Sequence, residues 1–585
     1  MLGWIGAAGA AGIMLVMHEM PPDPLIWTGA LCLAMALARS AKAFGIWWSK
    51  RRLRGGRLRF ISLGKLAGQQ MRHPGRIWLG NGFDWGQPHA QGVHEILKHD
   101  KHRALPGKSL TGMGAGWIHG LGTGAGILSL PREHAAGHVL IVGTTGSGKT
   151  RLFDHLITQS ILAGHAVVIV DPKGDRALRD NARRACEFVG DPGRFVNFHP
   201  AFPQESARID PLRRFNRGTE VASRIAALIP SETGSDPFKA FGMMALNNIV
   251  QGLLLVNRRP TLVSLRRYLD AGVESLVIQA IESWSARHDP DWRDRAGTFT
   301  GGARRREAIA KGLIRYYREH LEDFAPSPDL GGLITMYEHD RTHFAKMVAS
   351  LLPIMTMLTS GELASLLSPD LSDETDRRDY TTIERVINLG QTLYLGLDSL
   401  SDPMVGAAIG SMFVAELTAT AGARYNYGVD NRQVDIFIDE AAEVLAEPAI
   451  ALLNKSRGSG FTIFMATQSV EDLSARLGSP ARANQVLANL NNTIALRVID
   501  GATQKFLADN MPKTRVRYVM RQQGTGTESG NPALHTGSVG ERLMEEEADL
   551  VAPQVFGMLP NLEFFAKLSA GRIVKGKLPI LRGSE

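Results

Sequence analysis

The sequence predicts an α/β chain in which a parallel sheet is split by an all-helical insertion and preceded by a membrane-spanning helical hairpin. Three observations carry this expectation. A glycine-rich loop lies between an apolar strand and a periodic helix near residue 145. A second apolar strand, ending in two carboxylates, follows far downstream, and two apolar stretches separated by three prolines open the chain. With 44% hydrophobic and 21% charged residues over 585 positions, the composition excludes a disordered, collagen-like or wholly membrane-embedded chain. Only Cys32 and Cys186 are present, which excludes a disulfide framework and points to a reducing, cytoplasm-facing bulk.

The apolar stretches are LGWIGAAGAAGIMLVM (2–17) and LIWTGALCLAMALA (25–38), separated by HEMPPDP. They span about 24 and 21 Å as helices, short of a hydrocarbon core of roughly 30 Å. The second is extended by Arg39 and Lys42, which snorkel, and by Phe44, Ile46, Trp47 and Trp48, an interfacial aromatic belt. Gly3, Gly6, Gly9 and Gly12 form a small-residue stripe suited to helix pairing or oligomer contact. Net charge is +8, yet residues 49–108 hold 13 Lys/Arg against 3 Asp/Glu. The basic excess therefore flanks the membrane, and by the positive-inside bias everything after Trp48 is cytoplasmic.

At 139–142 the strand Val-Leu-Ile-Val leads into Gly143, Thr144, Thr145, Gly146, Ser147, Gly148, Lys149 and Thr150, followed by a helical run. In G-x-x-x-x-G-K-T the glycines let the backbone curl its N–H groups toward phosphate oxygens. Lys149 adds a charge near the β/γ-phosphates, and Thr150 offers a hydroxyl to Mg²⁺. The loop GLGTGAG (120–126) repeats glycine without the strand-and-helix context of a dinucleotide fingerprint and is read as a flexible loop.

The strand AVVIVD (166–171) ends in Asp171 and leads into PKGD, where Lys173 or Asp175 is expected to support the edge of a nucleotide. In VDIFIDEA (434–441), 289 residues beyond Thr150, Asp439 is expected to hold Mg²⁺ and Glu440 to deprotonate the attacking water. Gln468, at the end of FTIFMATQS, is placed to sense the γ-phosphate. Arg457, on the preceding turn, is either a solvated arginine or a finger for a neighbouring subunit's nucleotide. With TIALRV (493–498) these strands describe a RecA-like P-loop ATPase core using ATP and Mg²⁺.

The expected division is a hairpin (1–48), a basic juxtamembrane extension (49–130), the first half of the core (131–225), an all-α insertion (226–375), the second half (376–515) and a C-terminal extension (516–585). Helical runs such as 241–256, 274–284 and 344–358 fill the insertion. There Arg304, Arg305, Arg306, Lys311, Arg315 and Arg318 surround Tyr316 and Tyr317, either a nucleic-acid-facing stretch or a solvated helix face. Residues 521–540 read as a mobile loop, and 561–581 as a hairpin turned at Ser569–Arg572.

Together these motifs resemble the type IV coupling proteins, most closely the TraD-type coupling factors of integrative conjugative elements. WLGNGFDWGQPHAQGVHEILK (78–98), GWIHGLG (116–122), GHVLIVGTTGSGKTRL (137–152), VIVDPKGD (168–175), FIDEAAEVL (437–445) and SRGSGFTIFMATQS (456–469) carry the resemblance. It implies a bacterial inner-membrane ATPase, hexameric, that brings relaxase-bound single-stranded DNA to the type IV secretion channel proteins and pumps it without sequence preference. It also implies hydrolytic roles for Lys149, Thr150, Asp439, Glu440 and Gln468 and a finger role for Arg457. The loop at 18–24 is far shorter than the periplasmic domain of some F-type members, so a periplasmic docking function does not carry over. The competing readings are an ATPase for protein secretion without DNA, a docking platform that hydrolyses little, and a chromosome-partitioning pump, whose C-terminal sequence-reading domain has no counterpart in 516–585.

Overall fold

Proline placement starts the apolar N-terminal hairpin and charge ends it. α1 (Leu2–Met17) is followed by α2 (Pro22–Arg52), whose prolines sit in the first turn, where no amide is required, and whose Lys50, Arg51 and Arg52 face the negative end of the helix dipole. At 31 residues α2 is about 46 Å long, enough to cross a bilayer and carry its basic end beyond it. The two helices meet through Ala11, Cys32 and Ala36, all buried, with Gly29 facing Ala11. The stripe Gly3, Gly6, Gly9 and Gly12 points away from α2, since a Cβ added at any of them meets nothing within 4 Å. Pairing within the hairpin is thus made by a different small-residue face.

The computed structural model describes residues 1–17, 21–53, 58–98, 114–122, 124–229, 237–428, 432–527 and 535–582. Its centre is an 11-stranded mixed sheet. In chain order the strands are β1 (Arg76–Asp84), β2 (Gly126–Pro131), β3 (Val139–Val142), β4 (Ala166–Asp171), β5 (Phe195–Phe198), β6 (Thr392–Gly396), β7 (Val434–Ile438), β8 (Phe461–Thr467) and β9 (Asn492–Ala495). A separate ribbon, β10 (Lys513–Thr527) and β11 (His535–Asp549), precedes the last two sheet strands, β12 (Glu563–Leu568) and β13 (Arg572–Lys577). The sheet order is β2-β1-β13-β12-β9-β3-β8-β7-β4-β6-β5. Strands from β9 to β5 are parallel and the other four antiparallel. The parallel strands are continuous apolar runs because helices cover both faces. Val139–Val142 and Val167–Val170 are almost wholly buried. The hairpin expected at 561–581 is β12–β13, and it extends the sheet rather than standing apart from it.

Within the stretch between β5 and β6, residues 237–367 form nine helices, from Pro237–Leu255 to Gly361–Leu367. The run 344–358 is two helices, Arg341–Met347 and Leu352–Leu358, because Pro353 starts the second. Tyr316 and Tyr317 are core residues. The Tyr316 hydroxyl donates to Asp289 at 2.5 Å, and Tyr317 accepts from the Ser327 amide at 3.0 Å. Among the exposed cations around them, Lys311 pairs with Glu307 at 2.7 Å and Arg318 with Glu338 at 2.8 Å. The tyrosines, turned into the core, offer no platform for bases. Pro237–Leu255 and Pro403–Tyr427 are long and apolar enough to cross a membrane but pack within the protein. The second buries Ile409, Met412, Phe413 and Leu417 completely.

The segment expected to be a loop at 521–540 belongs mostly to β10 and β11; residues 528–534 lie outside the described residues. The glycines and threonines there hid an alternating cross-strand charge pattern. Arg517 pairs with Glu545 at 3.5 Å and Arg521 with Glu541 at 2.8 Å.

Candidate functional site

Register alone assembles the site. Thr467 pairs with Val142 and Ile438 with both Val170 and Met465, so the carboxyl ends of β3, β4, β7 and β8 finish side by side. Gly143–Thr150, Asp171, Asp439–Glu440 and Gln468 therefore emerge at one edge, where open α/β sheets carry their ligands.

The glycine-rich loop leaves β3 and enters α3 (Lys149–Leu162). Gly146 (φ +75°) and Gly148 (φ +114°) occupy backbone space that side chains disfavour, and a Cβ on Gly148 would stand 2.8 Å from Leu562. The loop is pinned from outside. The Thr144 amide donates to the Arg497 carbonyl at 2.8 Å, and the Leu562 amide donates to the Ser147 carbonyl at 3.0 Å. Inside it, the Ser147 hydroxyl donates to the Thr144 carbonyl at 2.7 Å. Lys149 is buried, with Nζ donating to the Gly143 carbonyl at 2.7 Å and lying 3.7 Å from Glu440 Oε1. Burial pulls its pKa below the ordinary lysine value against the attraction of Glu440 and Asp439. Thr150, at the first turn of α3, is half-buried.

Asp439 and Glu440 follow β7. The Glu440 amide donates to Asp439 Oδ1 at 2.9 Å, and burial, then the neighbouring Glu440 and Asp171 charges, push the Asp439 pKa up to about 7. Glu440 itself sits at φ +40°, a left-handed conformation costly for a residue with a Cβ and therefore imposed by its surroundings. Its carboxylate is the hub of the site. Gln468 Nε2 donates to Oε1 and Oε2 at 3.1 Å each, and Lys173 Nζ donates to Oε1 at 2.6 Å. Thr145 Oγ1 in turn donates to the Gln468 amide oxygen at 3.3 Å, linking the phosphate loop to the carboxylate. Burial works to raise the Glu440 pKa, but Lys173, Lys149 and Gln468 outweigh it and hold the group below the ordinary glutamate value.

Asp171 does not face outward. It accepts the amides of Lys173 (3.1 Å), Gly174 (3.1 Å) and Asp175 (2.6 Å) and the Tyr394 hydroxyl (2.7 Å), which fixes the PKGD turn. Asp175 caps the helix Arg176–Phe188 through the Ala177 amide. Lys173 is thus the member of this pair that enters the site, and what it meets is Glu440.

Arg457 lies elsewhere. It is exposed on the turn Ser456–Ser459 before β8, at the opposite end of that strand from Gln468, so about 23 Å of β8 separates it from its own phosphate loop. Leu562 and Arg497, which hold the loop through backbone groups, gave no signal in the sequence, since backbone partners carry no residue signature. Among the described residues no cluster of three or more His, Cys, Asp or Glu is arranged to hold a metal.

Two family models match this chain. The model of the type IV secretion-system coupling protein DNA-binding domain covers residues 123–277, which include the phosphate loop and Lys173. The model of the TraM recognition site of TraD and TraG covers residues 433–560, which include Asp439, Glu440, Arg457 and Gln468. No curated protein matches. Among solved structures, the unbound bacterial conjugative coupling protein TrwBdeltaN70 is 17% identical, with a TM-score of 0.49 over 78% of this chain and 87% of that one. The plasmid coupling protein TrwB in complex with ADP and Mg²⁺ is 16% identical, with a TM-score of 0.45 over 78% and 87%. VirB4 of Thermoanaerobacter pseudethanolicus is 13% identical, with a TM-score of 0.40 over 76% and 90%.

Proposed function

We propose that this chain, a type IV coupling protein by the two domain models it matches, is a DNA-stimulated ATPase that translocates relaxase-bound DNA toward a type IV secretion channel. The observation that carries the reading is the convergence of Lys149, Gln468 and Glu440 at one sheet edge, a carboxylate base bridged to a phosphate-binding loop. The loop amides and Lys149 bind the phosphates of ATP, and Glu440 takes the proton of the attacking water. The donor set fits Mg²⁺, which keeps most of its waters and asks the protein for one or two oxygens. Here they would be the Thr150 hydroxyl and the buried Asp439 carboxylate, whose ionisation a cation favours. Bound there, the ion would neutralise charge on the phosphates.

In this reading the chain sits in the bacterial inner membrane through α1 and α2, with its bulk in the cytoplasm. It works as a homo-hexamer in which Arg457 reaches the neighbouring subunit's ATP. The exposure of Arg457 and its distance from its own loop support a role in trans. The DNA is single-stranded and read without sequence preference, and the relaxosome is met on the cytoplasmic side.

The test is the ATPase rate of the purified chain with and without single-stranded and duplex DNA, with Lys149→Ala as blank. Stimulation by DNA that fades as salt rises supports the motor. Turnover indifferent to DNA would sink it in favour of an ATPase for protein secretion.

A further inference from the structure

Two cations stand against one oxygen of Glu440, and they are not equivalent. Lys149 is 3.7 Å from Oε1 and gives its short hydrogen bond to the Gly143 carbonyl. Lys173 lies 2.6 Å from the same oxygen. Its backbone is presented by a rigid platform, because Asp171 takes three consecutive amides and the Tyr394 hydroxyl, and because a Cβ on Gly174 would strike His199 at 2.5 Å. Lys173 therefore approaches Glu440 from a turn that has little room to shift, and Glu440 meets it from a backbone conformation that it adopts only under constraint.

The two carboxylate oxygens are loaded unequally. Oε1 receives Lys173, one bond from Gln468 and the weaker attraction of Lys149, whereas among the described residues Oε2 receives Gln468 alone. A carboxylate oxygen has two lone pairs, so Oε2 keeps one for a further donor while Oε1 is filled.

We infer that Lys173 is a positioning residue for hydrolysis: by occupying Oε1 it fixes the Glu440 carboxylate so that Oε2 is the atom that accepts the proton of the attacking water. Lys173 donates a hydrogen bond and transfers nothing. The proton that water loses goes to Oε2 and from there to solvent once phosphate has left. This rests on the reading of Glu440 as the base and departs from the sequence expectation that Lys173 supports the nucleotide itself. The other charged groups facing this pair are Asp439, on the same turn as Glu440, and Glu443, which adds to the negative field around Lys173.

The experiment is steady-state ATP hydrolysis by the full chain carrying Lys173→Ala, Lys173→Arg, Glu440→Gln or Lys173→Ala with Glu440→Gln, alongside nucleotide binding measured with a fluorescent ATP analogue. Lys173→Ala is expected to lower kcat about 10²-fold. KM and analogue affinity should stay within about twofold, because the lost interaction does not hold nucleotide. Lys173→Arg should recover most of the rate. The double variant should be no slower than Glu440→Gln alone, since a residue acting only through Glu440 has nothing left to position. A KM that rises while kcat is kept, an analogue affinity that falls in the double variant, or no recovery with arginine overturns the inference. Normal turnover by Glu440→Gln would instead overturn the assignment of the base. Should Lys173→Ala not fold, Lys173→Met keeps the stem, removes the charge and is judged by the same outcomes.

Discussion

Gln468 donates to both carboxylate oxygens of Glu440 at 3.1 Å, while its own amide oxygen accepts from Thr145 in the phosphate loop. One side chain thus spans the gap between the loop that would hold phosphate and the carboxylate that would activate water. Losing its hydrogen bonds to a charged group is worth about 1.5–3 kcal/mol, or roughly ten- to a hundredfold in rate. Gln468→Ala is expected to lower kcat by that factor. Gln468→Glu, which sets a like charge against Glu440, should lower it further. Equal rates for wild type and Gln468→Ala in an ATPase assay would remove Gln468 from the mechanism.

Arg457 and the phosphate loop lie at opposite ends of the sheet, so within one chain they do not meet. Arg457→Ala is expected to lose about 10³-fold or more in turnover, the range of arginine fingers. Mixing it with Lys149→Ala protein should restore part of the activity, because some interfaces then combine an intact arginine with an intact loop. Mixtures as inactive as their components would leave Arg457 a surface residue.

In the antiparallel half of the sheet, Lys575 and Glu563 pair at 2.7 Å with no exposure of either side chain. Glu563→Ala strands a buried ammonium and is expected to destabilise the chain by about 3–5 kcal/mol. Replacing both, as Glu563→Leu with Lys575→Met, should cost far less. Apparent melting temperatures of the two variants decide this, and a single variant as stable as the double would contradict the pairing.

Asp154, on α3, is buried, and burial first of all raises its pKa to about 6 despite Asn181 and Arg151 nearby. A carboxyl with a raised folded pKa contributes stability that is fully present below its unfolded pKa and is lost as pH rises through the folded one. Stability from this group therefore falls between the ordinary carboxylate range and about pH 6. Asp154→Asn should raise the melting temperature at about pH 8 and change it little at about pH 4. A gain of the same size at both values would refute the assignment.

The parallel strands at 139–142, 166–171, 434–438 and 461–467 were legible because burial on both faces leaves uninterrupted apolar runs. Their polar exits alone are enough to place Lys149, Asp439, Glu440 and Gln468 at one edge. The target of Lys173 was not legible, since it depends on the left-handed turn at Glu440, and neither residue announces that turn. The face of the insertion helix was also hidden. A string of arginines around Tyr316 and Tyr317 shows charge, but only the positions of Asp289 and Ser327 reveal that the rings point inward. The joining of β1 to β13 is set by pairing across nearly 500 residues, beyond what local pattern encodes.

The bond from the Leu562 amide to the Ser147 carbonyl ties the nucleotide loop to a stretch more than 400 residues downstream. A ribosome that has released the phosphate loop into the cytoplasm must still deliver Leu562 before that loop is braced, and the four antiparallel strands cannot close without β12 and β13. By then α1 and α2 are long out of the exit tunnel. The phosphate loop is therefore braced only after the apolar hairpin of α1 and α2, and more than 400 residues beyond the loop itself, have been made.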